Sequence, residues 1–292
     1  MSGTPGRLRF GYGTNGLADL RLADALGLLA DLGYDGVALT LDHMHLDPFG
    51  PDLAGRTAAV ARRLAALDLA VVVETGARYV LDPRRKHRPS LLDDEPEPRL
   101  ELLRRAVRVG ADLGAEAVSF WSGIRPSGVD RALAWRRLVR GSGEIADLAA
   151  RQGVRLALEP EPGMLVETVS AWEALAAEVG GPDRLGLTLD IGHCRCLEPR
   201  SEADCVRRAG DRLANVQLDD MRRGAHEHLP LGDGEVDLAA ALLALRETGY
   251  RGLASVELPR HSYAGPQLAA RSLAALRAAE AAAEPAVGVV TR

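Results

Sequence analysis

The sequence predicts an α/β protein built as a single (β/α)8 barrel. Its 292 residues suit one such barrel with a few insertions, and no linker rich in Pro, Gly or Ser divides them. Along the chain a unit recurs that consists of a helix rich in Ala and Leu, a glycine, and an apolar segment with strand propensity. Strands that alternate with helices form parallel βαβ units, and eight of them close into a barrel. An open doubly wound sheet is the alternative architecture.

Eight apolar segments are the predicted strands of this barrel. Gly33, Gly114 and Gly153 each precede one of them, where a glycine can end a helix in the left-handed conformation. The helices between the strands include residues 100–113 and 135–151, in which apolar residues recur every three or four positions. The predicted strands are residues 8–11, 36–40, 69–73, 117–120, 154–158, 185–189, 213–218 and 253–256.

The predicted domain organisation is one barrel over residues 1–280, followed by a flexible C-terminal tail at 281–292. A long irregular loop at 76–98 follows the third strand and carries a basic run at 84–88 and an acidic run at 93–95. Because loops of this length are more often functional than idle, we interpret the segment as a candidate lid. A disordered surface insertion is the alternative.

Composition and charge exclude several classes of function. The formal net charge of −5 gives no long-range attraction for a phosphate backbone, so nucleic acid is not an expected partner. The sequence contains no run of 18 apolar residues and no apolar N-terminal signal, and its three cysteines are an odd number. These features predict a cytoplasmic protein with reduced cysteines and no membrane partner. They are compatible with a homo-oligomer.

A glycine motif at residues 11–16, Gly-Tyr-Gly-Thr-Asn-Gly, fits the GxGxxG pattern of dinucleotide-binding folds. Such folds need an acidic residue about 20 positions beyond the glycines, and Asp42 comes too late. Polar residues also concentrate at the ends of the later strands, where a dinucleotide fold does not need them. We therefore interpret the motif as a turn at the barrel rim, with nicotinamide binding as the weaker alternative.

Four polar side chains stand at the ends of the last four strands: Glu159, Asp190, Gln217 and Glu257, called here the strand-end set. The carboxyl ends of all strands in a parallel barrel surround one opening, called here the mouth, so these side chains are expected to lie close together. Each acid follows apolar residues, where an isolated carboxylate is costly unless it is paired or bound to a cation. Oxygen ligands favour Mn²⁺ or Mg²⁺. Pairing with arginines or capping of helices is the alternative for each acid alone.

Several motifs around these residues resemble one known superfamily. They are Leu-Ala-Leu-Glu-Pro at 156–160, Leu-Asp-Ile-Gly-His at 189–193, residues 217–220, His-Leu-Pro-Leu-Gly-Asp-Gly-Glu-Val-Asp at 228–237, and Ser-Val-Glu-Leu at 255–258. Together they resemble the xylose-isomerase-like TIM-barrel superfamily of sugar isomerases and epimerases. Its members include ketose 3-epimerases, hydroxypyruvate isomerases, inosose dehydratases and, more distantly, endonuclease IV. The resemblance spans the whole barrel.

The resemblance implies roles for individual residues. The strand-end set matches the four metal-ligand positions of the superfamily, and His193 and Arg223 match positions that contact substrate in the epimerase branch. Glu159 and Glu257 match the pair that serves as base and acid on opposite sides of the reacting carbon. Gln217 departs from the pattern because a His commonly stands there. An amide oxygen can still bind a metal, but the departure leaves the identity of the metal open.

Other residues are predicted to line the same mouth. Glu74 ends the third strand and Trp121 ends the fourth, and both are substrate-site candidates, with core packing as the alternative for Trp121. His228 is expected either to contact substrate or to donate a loop hydrogen bond. We interpret Asp219 and Asp220 as loop and cap residues rather than ligands.

The predicted reaction is proton transfer beside a carbonyl through an enediolate, with a divalent metal that polarises the carbonyl. The predicted enzyme is a metal-dependent isomerase or epimerase, and its partner is a small polyhydroxy carbonyl compound: a sugar, ketose or cyclitol. Glu161 is interpreted as a solvent-facing loop acid, with a substrate hydrogen bond as the alternative. Two other functions stay open: a lyase of the inosose dehydratase type and a non-catalytic metabolite-binding barrel.

Overall fold

The computed structural model describes residues 7–283, and its strands form a closed parallel barrel. The order of the strands around the barrel is β1-β10-β7-β6-β5-β4-β3-β2, and β8 and β9 form a separate antiparallel hairpin. The predicted (β/α)8 barrel is therefore confirmed, and every predicted strand overlaps an observed one. The strands are β1 (Arg9–Gly13), β2 (Gly36–Thr40), β3 (Ala70–Glu74), β4 (Val118–Trp121), β5 (Leu156–Glu159), β6 (Gly186–Asp190), β7 (Leu213–Leu218), β8 (Asp220–Arg222), β9 (Ala225–Leu229) and β10 (Leu253–Val256).

The helices surround the barrel and begin and end at the residues that sequence chemistry favours. Gly33, Gly114 and Gly153 follow helices in the left-handed conformation, as predicted. Side chains such as Asp130 cap the first turns, which is why the fourth helix begins before its apolar pattern does. The helices are α1 (Leu22–Leu32), α2 (Leu53–Ala66), α3 (Glu97–Leu113), α4 (Arg131–Gln152), α5 (Val169–Val179), α6 (Ile191–Leu197), α7 (Glu202–Ala209), α8 (Leu238–Glu247) and α9 (Gly265–Ala282).

Strand register brings the ends of the strands to one level. Trp121 pairs with Glu159 across β4 and β5, and Asp190 pairs with Gln217 across β6 and β7. A register shift between Leu187 and Thr188 of β6 precedes the second pair. The hairpin follows β7 directly and packs against α6, at the same end of the barrel. The fold thus collects polar side chains that are distant in sequence.

The loop between β3 and α3 packs on the barrel. Arg88 donates two hydrogen bonds, of 2.8 and 2.9 Å, to the carboxylate of Asp93, and Leu91 and Leu92 are buried. Helix α3 includes the last two residues of the predicted irregular segment at 76–98. The basic and acidic runs of this loop are therefore joined by an ion pair.

The predicted C-terminal tail at 281–292 lies mostly outside the described residues, which end at 283. Within them, α9 ends at Ala282. Across residues 7–283, the helices are too short or too polar for any of them to cross a bilayer.

Candidate metal centre and active site

A cavity of about 390 Å³ lies at the carboxyl ends of the barrel strands. It is lined by side chains from the ends of β3, β4, β5, β7 and β10, and by residues of the loop after β3. Glu74, Trp121, Glu159, Gln217 and Glu257, all predicted from strand ends, line this one space. The cavity is large enough for a small sugar together with a metal ion.

Asp190 joins the strand layer to the first turn of α6. Its Oδ1 accepts a 2.9 Å hydrogen bond from the backbone N–H of His193, which caps the helix. The ring of His193 then lies between two carboxylates: Nδ1 is 3.4 Å from Oε1 of Glu159, and Nε2 is 3.8 Å from Oδ2 of Asp190. Nδ1 also lies 3.1 Å from the carbonyl oxygen of Pro160. One short segment therefore places the imidazole of His193 in the cavity wall and the carboxylate of Asp190 beside it.

Glu257 and Gln217 complete the strand-end set on the other side. The backbone N–H of Glu257 donates to the carbonyl oxygen of Leu218 at 3.0 Å, which extends the pairing of β10 with β7. The side-chain amide of Asn15 donates a 2.9 Å hydrogen bond to Oε1 of Glu257. Gln217 is 2% exposed, and its Oε1 has no hydrogen-bond partner among the described residues. Its position therefore leaves that oxygen available to a ligand.

Burial and mutual repulsion disfavour full ionisation of the acids at the mouth. Burial, followed by the nearby carboxylates of Glu257 and Glu161, raises the pKa of Glu159 well above its ordinary value. Burial is also the main cause that raises the pKa of Glu257 to about 8. Burial likewise opposes the charge on Asp190, but neighbouring histidines and the His193 N–H hold its pKa below the ordinary value. A bound cation would favour the ionised form of all these groups.

Glu74 and Trp121 form the side of the cavity opposite β7. The amide of Asn215 donates a 2.8 Å hydrogen bond to Oε1 of Glu74, and burial raises the pKa of Glu74 to about 7. The guanidinium carbon of Arg99 lies 4.4 Å from the Trp121 ring centroid, and the ring of His87 packs at 4.8 Å. These neighbours hold the indole in place while it lines the cavity.

The hairpin contributes a histidine pair to the mouth. His226 and His228 alternate along β9, and their ring centroids lie 4.9 and 5.6 Å from that of His193. Nδ1 of His228 contacts Oδ2 of Asp219. The structure therefore brings His193 and His228, both predicted from sequence, to the same wall of the cavity.

Two predicted site residues do not line the cavity: Asp190, which is buried beside His193, and Arg223, which lies on the surface. Arg223 is exposed at the turn of the hairpin, where its backbone N–H donates to Oε2 of Glu235. Its guanidinium donates a 2.6 Å hydrogen bond to the carbonyl oxygen of Glu198. Among the described residues that line the cavity, Arg223 is absent.

Sequence reasoning missed Asn15, His226 and Asp219. Asn15 lies within the glycine motif at 11–16, and a Cβ at Gly13 would come within 2.7 Å of its Oδ1, so the glycine makes room for this side chain. The alternation of His226 and His228 on one strand was a signal for both histidines. Asp219 follows an apolar strand, as the predicted acids do. It lies in the link between β7 and β8, as the loop interpretation predicts, and it is fully buried there.

Three overlapping groups of side chains have ligand atoms that lie within 4.8 Å of one another. The groups are Glu159 with Asp190 and His193, Asp190 with Asp219 and His228, and His193 with His226 and His228. Oδ2 of Asp190 and Nε2 of His193 are buried without a hydrogen-bond partner in the part of the chain that the structure describes. A divalent cation would satisfy such atoms, so the residues present fit a metal ion.

A family profile described as the xylose isomerase-like TIM barrel matches residues 26–279. The match covers most of the chain and includes all predicted site residues. The chain is a xylose isomerase-like TIM barrel. The resemblance found in the sequence motifs is thereby confirmed at the level of the family.

Relatives of this xylose isomerase-like TIM barrel include sugar epimerases. The L-ribulose-5-phosphate 3-epimerase UlaE of Shigella flexneri serotype 5b (strain 8401) is 26% identical over 240 residues, 80% of this chain and 81% of that protein. The structure of D-allulose 3-epimerase from Methylomonas sp. in complex with D-allulose is 24% identical. It superposes with a TM-score of 0.73 over 94% of this chain and 98% of that chain.

A further relative of this xylose isomerase-like TIM barrel is the uncharacterized protein MJ1311 of Methanocaldococcus jannaschii. It is 29% identical over 118 residues, which are 39% of this chain and 40% of that protein. The match with this relative is therefore partial, whereas the match with the Shigella epimerase extends over most of both chains.

Proposed function

We propose that this chain is a divalent-metal-dependent epimerase or isomerase of a small sugar, ketose or cyclitol. The observation that carries the proposal is the meeting of Glu159 and Glu257 in one cavity, on either side of Asp190 and Gln217 in the barrel order. Two carboxylates that flank a cation site can exchange a proton with the two faces of one carbon. The kinship with sugar 3-epimerases supports this chemistry.

The strand-end set is the proposed ligand set, and Mn²⁺ or Mg²⁺ is the proposed ion. A bound ion would polarise the carbonyl and neighbouring hydroxyl of the substrate. One of Glu159 and Glu257 takes the proton from the carbon beside the carbonyl, which leaves an enediolate. The other returns a proton to the opposite face, and the configuration of the carbon is inverted. Gln217 is the weakest member of the set, because its amide oxygen is neutral.

The remaining predicted residues are proposed to orient the substrate. His193, His228 and Glu74 offer hydrogen-bond groups at the cavity wall, and Trp121 offers a flat apolar surface of the kind that sugars contact. Arg223 could contact substrate only after release of its hydrogen bond to Glu198. A cytoplasmic location, a homo-oligomeric state, and the absence of nucleic-acid and membrane partners stay predictions of the sequence.

The proposal is tested with metal-free protein that is reloaded with Mn²⁺ or Mg²⁺ and incubated with ketoses and inososes in deuterated water. We expect that NMR detects solvent deuterium on the carbon beside the carbonyl of one substrate class, with no loss of water from the substrate. Loss of water would identify a lyase. Absence of exchange for all substrates, together with retained metal binding, would support a metabolite-binding barrel and contradict the proposed reaction.

A further inference from the structure

We propose that Asp219 and His228 are the main metal ligands on the β7 side of the site. Together they replace the histidine that commonly stands in the superfamily at the position of Gln217. The inference rests on the proposed function, since it concerns the same metal site. It assigns a ligand role to a carboxylate that the sequence motifs leave in a loop. It also changes the role of His228 from substrate contact to metal ligand.

Asp219 is placed where a ligand is needed. It follows β7 directly, is 0% exposed, and neither of its carboxylate oxygens has a hydrogen-bond partner within residues 7–283. Its carboxylate contacts the imidazole of His228 but accepts no hydrogen bond from an arginine or a backbone N–H within residues 7–283. Such a buried acid is costly to a fold, and it commonly binds a cation or substrate.

The first turn of α6 is shaped around this carboxylate. A Cβ at Gly192 would overlap Oδ1 of Asp219, so the glycine between Asp190 and His193 makes room for the Asp219 side chain. The same turn presents Asp190, whose Oδ2 is buried and lacks a hydrogen-bond partner in the described chain. Two carboxylates with free oxygens are therefore brought together by one small residue.

His228 comes from a hairpin whose position is fixed. Asp220, the neighbour of Asp219, accepts hydrogen bonds of 2.9 Å from the backbone N–H groups of Gly232 and Val236, which fasten the loop after β9. Nδ1 of His228 contacts Asp219 and has no hydrogen-bond partner of suitable geometry among the described residues. Asp219 thus contacts His228 on β9, and Asp220 fastens the loop that follows this strand.

The spacing suits one ion. Ligand atoms of Asp190, Asp219 and His228 lie within 4.8 Å of one another, and an ion with bonds of about 2.1 Å keeps adjacent ligands about 3 to 4 Å apart. Small side-chain movements would bring the three ligand atoms to the spacing that a bound ion requires. Compared with the neutral amide of Gln217, this pair supplies a negative charge and an imidazole nitrogen. An imidazole ligand favours Mn²⁺, Co²⁺ or Zn²⁺ over Mg²⁺.

The test compares the Mn²⁺ affinity of metal-free variants by calorimetric titration, with Co²⁺ absorption as a second readout of the ligand set. Asp219→Asn preserves the shape of the side chain, His228→Gln replaces the imidazole with a polar amide of similar length, and Gln217→Ala removes the amide. We expect Asp219→Asn and His228→Gln to weaken Mn²⁺ binding about 10- to 100-fold and to change the Co²⁺ spectrum. Gln217→Ala should have the smallest effect of the three. Asp233→Asn, at an exposed residue that does not line the cavity, is the matched control.

Each outcome separates this inference from the proposed function. If Asp219→Asn and His228→Gln keep the affinity and spectrum of the parent protein, or if Gln217→Ala loses more affinity than they do, the inference is wrong while the epimerase proposal stands. If only the KM for substrate rises, Asp219 is a residue that positions His228 toward substrate, and the ligand role is again wrong. If the parent protein takes up neither Mn²⁺ nor Co²⁺, the proposed function fails together with the inference.

Discussion

Acidic side chains behave in opposite ways on the outer helices and at the mouth of the barrel. On α5, Glu173 lies 2.6 Å from Arg208 and 2.9 Å from Arg212, and hydrogen bonds from these guanidinium groups hold its pKa below the ordinary value. At the mouth, burial and then neighbouring carboxylates such as Glu257 raise the pKa of Glu159. The outer acid is most stable when ionised, whereas the acid at the mouth is most stable when protonated or bound to a cation.

The difference shows which acids serve the fold and which serve a site. A surface ion pair contributes about 0 to 1 kcal/mol to stability, and the outer acids do no more than this. Ionised Glu159 and Glu257 oppose folding in the absence of a cation, and their presence at the mouth indicates a function that compensates for the loss of stability. Experiments that exchange one acid in each region therefore test the comparison directly.

The largest expected effect follows from removal of one proton-transfer group at the mouth. Glu257→Gln keeps the shape of the side chain and the hydrogen bond with Asn15, but it can neither take nor return the proton. Loss of general acid–base catalysis should lower the rate of deuterium exchange into substrate about 10³-fold. The measurement is NMR of substrate in deuterated water with saturating Mn²⁺.

Glu173→Gln is the matched control for this substitution, because it changes the same side chain in the same way on the outer layer. Its exchange rate should stay within about twofold of the parent rate, since the residue lies on a surface helix. Equal losses in both variants, or an active Glu257→Gln, would show that the acids at the mouth have no special role.

The barrel could be predicted from the sequence because its signals are local. A glycine such as Gly33 or Gly114 ends a helix through its own backbone conformation, and the apolar run that follows has no alternative to a buried strand. The convergence of Glu159, Asp190 and Glu257 was predictable for the same reason, since parallel strands end at one rim. These predictions needed only element order.

Other parts of the site depend on contacts that element order does not specify. Asp219 and Asp220 are neighbours with identical side chains, yet one is buried among acids and the other fastens the hairpin loop. Which of the two is buried depends on the path of the chain as it leaves β7. The register shift in β6 likewise affects how Asp190 pairs with Gln217. Asn15 lies in the glycine motif at 11–16, which is typical of dinucleotide binding and gave no indication of a role at this site. Its hydrogen bond to Glu257 joins residues 242 positions apart.

Metal binding should give the next largest effect and sharpen the contrast between the two regions. Mn²⁺ at about 1,000 times its Kd stabilises the folded state by about 4 kcal/mol, which raises Tm by roughly 8 to 16 °C for a domain of this size class. Glu159→Gln should raise the Tm of the metal-free protein, because it relieves repulsion, and should reduce the increase that Mn²⁺ produces. Scanning calorimetry with and without EDTA measures both. Glu173→Gln should lower the Tm of the metal-free protein. If Glu159→Gln lowers it too, the distinction between the outer acids and the acids at the mouth is wrong.

The smallest expected effect is a pH dependence of opposite sign in the two regions. Glu74 ionises near 4.5 in the unfolded chain, and its pKa in the folded protein is about 7. Between these pH values the folded state holds a proton that the unfolded state has lost. The contribution of Glu74 to the stability of the folded state is therefore full below pH 4.5 and disappears as the pH rises through 7. The upper limit of this contribution is about 3 kcal/mol. In EDTA, Tm should therefore fall from pH 5 to pH 8, and Glu74→Gln should make the fall shallower.

Glu173 reverses this sign, because its folded pKa is lowered: its contribution is present at neutral pH and disappears as the pH falls. Glu173→Gln should consequently leave the decline between pH 5 and pH 8 unchanged and alter only the acid side of the profile. Tm profiles of the two variants, recorded in the same buffers, therefore diverge at opposite ends of the pH range. A Glu74→Gln profile parallel to that of the parent protein would mean that Glu74 is already ionised at pH 5. The cavity would then be more hydrated than its burial indicates, and the repulsion among the acids at the mouth would be weaker than the comparison with the outer helices requires.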